Sequence, residues 1–378
     1  LWDLGNYSST TTIDASKVHS IEIRFGTVNT TDSVSGECTT PGISGESGNC
    51  EVGDYMTHPA FLAFNTTGMW VGKFETGYDG ATSNWGAQSN IIDTSKVIVK
   101  PNVYSWRNIQ VANAFTVSYN YKRELDSHMM KNTEWGAVAY LSHSIYGIND
   151  GVRINNNSNN LTGYAAVSEP TVDWPEYKGY GTSSSVTLPY NTSTGYLAST
   201  TGNITGVYDM SGGAFEYVMS VQVYESGLPL SGRNNLYNSG FNGTLGCPTC
   251  DSTVSGLDSS ITSVTNGINL PDSKYYDSYK ANSNGNMSNR ILGDATGEMG
   301  PFGIVQTTGT TAECGVTGIC NRNISSWFSD SSLFVSTGYP WFNFGGCYSN
   351  GSGSGTFYFG SNSGHANSII SFRLALCV

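Results

Sequence analysis

Eight cysteines and five histidines are the side chains of this chain best suited to redox, metal or nucleophilic chemistry, and their spacing points away from all three. The Cys-x-x-Cys segment, Cys247-Pro248-Thr249-Cys250, would be a thioredoxin-like redox pair only in a βαβ setting with its first cysteine at a helix start. Its flanks, NSGFNGTLG and DSTVSGLDSS, are loop sequences, so a structural disulfide in a tight turn is expected instead. A structural zinc site wants four clustered Cys or His ligands, and no second couple has matching spacing, so no metal centre is assigned. His19, His58, His128, His143 and His365 are scattered. Asp54 with His58, or Glu124 and Asp126 with His128, have the types of a base and its orienter, but no nucleophile shares their segments. With no G-x-S-x-G, Walker loop or H-E-x-x-H in the chain, each imidazole is expected to be an ordinary core or surface group, and no catalytic residue is assigned.

The cysteines fall into local couples, Cys38 with Cys50, Cys247 with Cys250, Cys314 with Cys320 and Cys347 with Cys377. An even count in Gly/Ser/Thr-rich loops reads as disulfides and hence as an oxidising, extracellular compartment. Nearest-neighbour pairing is the expectation because short loops cost least to close. Charged residues are only 12% of the chain, the net charge is −12, and no Lys/Arg-rich run exists, so nucleic acid is excluded as a partner on electrostatic grounds. No segment approaches the roughly 18 apolar residues a membrane span needs.

The elements that must position these residues are short. Gly, Ser, Thr, Asn and Tyr dominate, a composition that favours turns and strands over long helices, while 38% hydrophobic residues give ample surface for a core. Val18 to Phe25 alternates like a half-exposed strand, and residues 1–50, closed by a Cys38–Cys50 loop, are expected to add to the sheet of a main domain spanning 51–378. Met69 to Thr76 reads as a strand. Trp135 to Gly147 is the best helix, with Trp135, Val138 and Ala139 on one face, and Ser105 to Phe115 is a second candidate with Ser105 as N-cap. Asn149 to Ala198 reads as a long surface loop and a candidate recognition surface, and Trp341 to Val378 as a terminal pair of strands.

Four segments, in order, carry a resemblance: FLAFNTTGMWVGKFET (Phe61 to Thr76), MKNTEWGAVAYL (Met130 to Leu141), NITGVYDMSGGAFEYV (Asn203 to Val218), and FNFGGCY with SFRLAL after Trp341. Together they resemble the formylglycine-generating enzyme, or sulfatase-modifying factor, family. The third is similar to that family's most specific signature, N-x-F/Y-G-L/V-Y-D-M-x-G-N-x-W-E-W. In it Tyr208, Met210, Phe215 and Tyr217 are expected to pack around Gly206, Gly212 and Gly213, with Glu216 as a buried acceptor. The resemblance implies an α+β, loop-rich, C-type-lectin-like fold with short strands, one or two short helices and disulfides.

Where the chain departs from the family bears most on function. Family enzymes place two copper-binding cysteines four and nine residues beyond the terminal Gly-Gly, where this chain has Asn350 and Gly355. Neither is a thiolate, so copper-dependent oxidation is not expected. Gly213 replaces the family's Asn near a calcium site of relatives, which leaves calcium possible but unassigned and no other cofactor implied. The expected function is therefore a non-catalytic, extracellular, surface-displayed binding domain or a filament or pilin head that recognises carbohydrate or protein, self-association in a filament included. Trp341, Asn343, Tyr348, Asn350, Ser352, Ser354 and Asn367 are its candidate ligand-binding residues. The segment SHMMKNTEWGAVAYLSHSIYG is also similar to exported pilin-like proteins of Gram-positive bacteria, for which an anchoring helix is expected before Leu1. A phage tail or coat receptor-binding protein on a virion surface is the alternative, and an oxidoreductase of the family's type the more distant one.

Overall fold

The computed structural model describes residues 68–142, 144–148, 150–167, 186–224, 239–241, 270–281, 330–333, 335 and 339–377, together with the backbone of short strands at 23–24, 55–56, 172–174, 177–179 and 323–324. Cys38, Cys50, Cys247, Cys250, Cys314, Cys320, His19, His58 and His143 lie outside the described residues, as do the side chains of Ser352 and Cys377.

The fold is mixed α+β with mostly strands and two short helices. Its strands, numbered in chain order, include β1 (Met69–Val71), β2 (His128–Met129), β3 (Phe215–Tyr224), β4 (Asp277–Ala281), β5 (Asn323–Ile324), β6 (Ser331–Ser332), β7 (Trp341–Phe344), β8 (Phe359–Asn362), β9 (Ile370–Phe372) and β10 (Leu374–Cys377). The main sheet runs β4-β3-β7-β8-β6-β5, with β9 also pairing β3, and a smaller sheet runs β1-β10-β2. Because β9 and β10 are separated by Arg373 alone, the end of the chain stitches the two sheets together.

Period-two alternation along β3 explains the core. Tyr217, Met219 and Val221 join one cluster with Trp106, Phe115, Phe241, Trp341 and Phe372, while Val218 turns to a second with Trp135, Met210, Phe342, Phe344 and Phe359. One helix serves each face. Helix α1 (Val111–Tyr121) is buried from Val111 to Ser118, and its Thr116 and Ser118 hydroxyls are satisfied by the carbonyls of Ala112 and Ala114 (2.7 and 2.8 Å). Helix α2 (Asn132–Leu141) sends Trp135 into the second cluster, where its Nε1 donates to Thr356 O (2.8 Å). Glu134 closes the helix start by accepting from Lys131 N (2.8 Å), and Asp277 of β4 accepts from Thr133 N (2.8 Å).

Several expectations change. The helix expected from Ser105 begins at Val111, because residues 105–107 are extended and bridge other segments, Gly77 with Ser105 and Gln88 with Arg107. Helix α2 spans Asn132–Leu141, starting earlier and ending sooner than Trp135 to Gly147. The 149–198 stretch is not simply surface: Val152, Ile154, Ala165, Ala166 and Ala198 are buried, and Tyr164–Ala166 pairs with Thr187–Pro189. Among the described residues the N-terminal strand Ile23–Arg24 pairs with Tyr55–Met56, at the start of the 51–378 span. The terminal pair of strands is four strands, β7 to β10. Cys347 is a free, buried cysteine, so the expected Cys347–Cys377 bridge is absent; Cys347 sits in the turn after β7, whereas Cys377 is paired with Met69 in the smaller sheet.

Candidate functional site

Beneath the candidate site lies a buried charge cluster that joins three of the sequence motifs. Arg373, wholly buried, donates through Nε to Glu216 Oε2 (3.0 Å) and through Nη2 to Glu216 Oε1, while Nη1 reaches Gly72 O (2.7 Å) and Nη2 also Tyr208 O (3.0 Å). Asp209 accepts from Gly163 N (2.8 Å) and Asn155 Nδ2 (2.9 Å), and Glu75 from Ser105 Oγ and Ala214 N (3.3 Å). Glu216 thus takes the guanidinium directly, while Glu75 and Asp209 feel its charge without bonding it. Burial, reinforced by Asp209 and Glu216, pushes Glu75 well above the usual carboxylate range; burial also raises Asp209, and raises Glu216 to about 7 against the pull of Arg373. Of the three, Glu75 is the carboxyl on which burial and its two acidic neighbours act together to favour the protonated form. Gly212 and Gly213 have positive φ (+74° and +77°), and a Cβ on Gly213 would stand 3.1 Å from Glu75 Oε1, so glycine here lets the backbone pass over the cluster. Glu216 is the buried acceptor the motif implied, although Phe215 is only half-buried and sits against Tyr358 at 5.5 Å between ring centres.

Above this cluster, Arg107 gathers loops at the surface. It is buried at 2% exposure, yet among the described residues it has no carboxylate hydrogen bond. Nη2 donates to Asn84 O (2.7 Å) and Asn84 Oδ1, Nη1 donates to Ser368 O, and Nε has no acceptor among the described residues. Burial lowers its pKa, countered by Glu75 and Tyr348, without approaching deprotonation. Its backbone pairs with the same loop, Ser89 N donating to Arg107 O (3.0 Å) and Arg107 N to Ala87 O (3.1 Å). Ser105 N donates to Asn160 O (2.9 Å), Asn160 Nδ2 reaches Asn84 Oδ1 (3.4 Å), and Asn108 N donates to Asn367 O (2.8 Å). Tyr348, close enough to influence Arg107 electrostatically, is held by its own N–H on Gly213 O (2.9 Å). Loops 83–90, 155–160 and 363–369 are thereby tied to Arg107 or its immediate neighbours, and loop 347–354, held on Gly213, brings Tyr348 within electrostatic reach of it.

Of the residues expected to bind ligand, the structure brings Tyr348 and Asn367 to this assembly and keeps Asn350 exposed on the same loop as Tyr348. It places Trp341, Asn343 and Ser354 inside, and the Ser352 side chain lies outside the described residues. Trp341 is fully buried and stacked on Phe241 (5.6 Å), Asn343 is 5% exposed within β7, and Ser354 is 2% exposed and donates to Cys347 O (2.9 Å). Alternation in a strand flanked by core on both faces leaves no solvent side, which is why Trp341 and Asn343 are not displayed. Arg107, Asn84, Trp85 and Asn160 were missed. The signal available was a basic residue between Ser105 and Ile109 in a chain with so few charges, but reading the segment as helix gave Arg107 an exposed face.

The positions of the family's thiols have their own geometry. Asn350 Oδ1 accepts from Cys347 N (3.1 Å) and from the Cys347 thiol (2.8 Å), with Ser349 Oγ at 3.3 Å from the sulfur. No imidazole or carboxylate contacts that thiol among the described residues, so nothing there acts as its base. A Cβ on Gly355 would lie 1.9 Å from Asp330 Oδ1. Asp330 is itself buried, accepts from Phe357 N (2.9 Å), and is pushed well above the usual carboxylate range by burial. A cysteine could not occupy position 355 unless Asp330 moved. No group of three or more His, Cys, Asp and Glu side chains able to hold a metal occurs among the described residues, and no described helix is long and apolar enough to cross a membrane.

No protein-family model matches the chain. No curated protein matches it either.

Proposed function

We propose that this chain is a non-catalytic recognition domain related to the formylglycine-generating enzymes, displayed outside the cell on a filament or surface, that binds its ligand through the loops gathered on Arg107. The observation that carries the reading is the pairing of a rigid, many-loop face with positions 350 and 355 that lack thiols, position 355 having Asp330 packed against it. Ligand sites are built on loops held by a rigid scaffold, and a buried cation bonded to loop carbonyls is a device for such holding.

The test is binding by the full chain to immobilised candidate partners, with Tyr348→Ala and Arg107→Met compared against the parent. Loss of binding by both variants, with folding retained, supports the reading. Unchanged binding by both moves the function off this face. Conversion of a cysteine-containing peptide to formylglycine, with or without copper, would show that the domain is an enzyme after all.

A further inference from the structure

We infer that the Arg107 face recognises a neutral oligosaccharide, with the Trp85 indole as the surface on which a sugar ring stacks. The inference rests on the binding role proposed above and names its ligand class.

The loops carry an unusual charge pattern. Residues 83–90, 155–160, 347–354 and 363–369 contain between them no Asp, Glu, Lys or Arg, in a chain whose net charge is −12. Arg107 lies beneath them, with its guanidinium occupied by carbonyl oxygens. An ionic ligand would meet no exposed charge of opposite sign on these loops. What they present are amides, hydroxyls and aromatic rings: Asn84, Ser158, Asn159, Tyr348, Asn350 and Ser368.

Trp85 stands in this setting at 78% exposure. Its backbone, however, is held on both sides: Asn84 O accepts from Arg107 Nη2 (2.7 Å), Trp85 O accepts from Gln88 N (3.1 Å), and Gly86 N donates to Ser83 Oγ (3.0 Å). A large apolar ring that gains little from burial in this molecule is displayed on a fixed turn, so little loop entropy remains to be lost when a partner covers it. A protein partner's hot spot needs an apolar surround that excludes water. Here Trp85 and Ile369, at 39%, are the large hydrophobic side chains on these loops that are exposed among the described residues. One flat exposed ring on loops rich in planar amides suits instead a pyranose, whose C–H face packs on an aromatic while its hydroxyls meet amide donors and acceptors.

The experiment uses the full chain on an array of neutral oligosaccharides ending in glucose, galactose, mannose or N-acetylhexosamines, beside uronic- and sialic-acid-bearing counterparts and a peptide array. The expected result is binding to a subset of neutral glycans, weakened about ten-fold or more by Trp85→Ala, partly kept by Trp85→Tyr, and little changed between low and high salt. Because Trp85 is exposed, its variants should melt with the parent, so a loss of binding is not a loss of folding. Neutral-glycan binding that Trp85→Ala leaves intact overturns the inference, as does binding confined to acidic glycans or abolished by salt. Binding only to peptides, still lost in Tyr348→Ala, overturns the glycan assignment and leaves the binding face standing. No binding to any arm by the parent overturns the glycan assignment too; loss of the face itself is read separately, from Tyr348→Ala and Arg107→Met.

Discussion

Two of the buried arginines among the described residues, Arg373 and Arg107, divide the labour between sheets and loops. Arg373 spends all three of its nitrogens on Glu216, Gly72 and Tyr208, locking β9 and β10 to β3 and to the segment after β1. Arg107 has no carboxylate hydrogen bond among the described residues and bonds instead to carbonyl oxygens of Asn84 and Ser368 in separate loops. The first is an ion pair in the middle of the fold; the second is a cation whose partners are loop carbonyl oxygens, two of the backbone and one of the Asn84 side chain. The contrast teaches that a chain so poor in charge still places guanidinium groups at its two organising points, one for the sheets and one for the surface above them.

The sharpest way to break the comparison is Arg373→Met. Removing one partner of a buried pair leaves Glu216 uncompensated, beside Glu75 and Asp209, and should cost about 3–5 kcal/mol in a urea titration. If Arg107→Met cost as much, the division would fail. The expected loss at Arg107 is smaller, about 1–3 kcal/mol for hydrogen bonds from a charged group, and local. Amide exchange should quicken in peptides covering 83–90 and 363–369 while those of β3 and α1 keep their protection. Uniform acceleration would mean that Arg107 holds the whole domain.

How much of this was legible in the sequence follows the same division. The Arg373–Glu216 pair could be anticipated in part, because the motif places Glu216 between aromatics and a carboxylate there must find a donor. The Gly212-Gly213 turn was legible for a similar reason: paired glycines amid aromatics signal backbone that must turn or approach closely. Arg107 was not, since two of its three acceptors are main-chain oxygens, from segments far apart in sequence, and no side-chain pattern encodes those. Helix α1 was misplaced because Ser105 looks like an N-cap, whereas its hydroxyl goes to Glu75. Trp341 and Asn343 looked displayed because alternating aromatics suggest one wet face, but β7 is covered on both. Asn149 to Ala198 looked like surface because Asn-rich turns are usually solvated; here Asn155 is buried and donates to Asp209 and to Leu161 O (2.8 Å).

A third test sharpens the role of buried charge through pH. His128 has Glu134 Oε1 at Nε2 (2.8 Å) and Asp126 O at Nδ1 (2.7 Å), so both nitrogens face acceptors. Burial opposes the charged ring, but Glu134 and these bonds together raise its pKa; Glu134 is lowered, its own burial being outweighed by His128. The histidine's contribution is complete below its unfolded pKa, about 6.5, and is lost as pH rises through the higher folded value. The contribution of Glu134 is present above its unfolded pKa, about 4.3, and is lost as pH falls through the lower folded value. Glu75, raised like His128, adds a contribution that is also lost as pH rises through its folded value. Glu134 therefore sets an acid limb that ends at about pH 4.3; above it Glu75, with Asp209, Glu216 and Asp330 shifted the same way, begins an alkaline decline that His128 joins above about pH 6.5, and Glu75→Gln makes that decline shallower. A Glu75→Gln curve parallel to the parent's would show that Glu75 is ionised throughout.

The smallest effect belongs to Asn350. Its side chain is exposed and its Oδ1 holds both the N–H and the thiol of Cys347, yet water can take over at a surface acceptor, so Asn350→Ala should cost less than about 1 kcal/mol. The same change removes what tethers the sulfur, which is 3% exposed at present. Reaction of Cys347 with an aromatic disulfide reagent should therefore be slow in the folded parent, faster in Asn350→Ala, and complete in both once unfolded without reductant. Peptide mapping assigns the labelled thiol. Failure to label Cys347 in the unreduced, unfolded chain would restore a disulfide at that position, and the loop that carries Tyr348 would then be held by a covalent link instead of by Asn350 and Gly213.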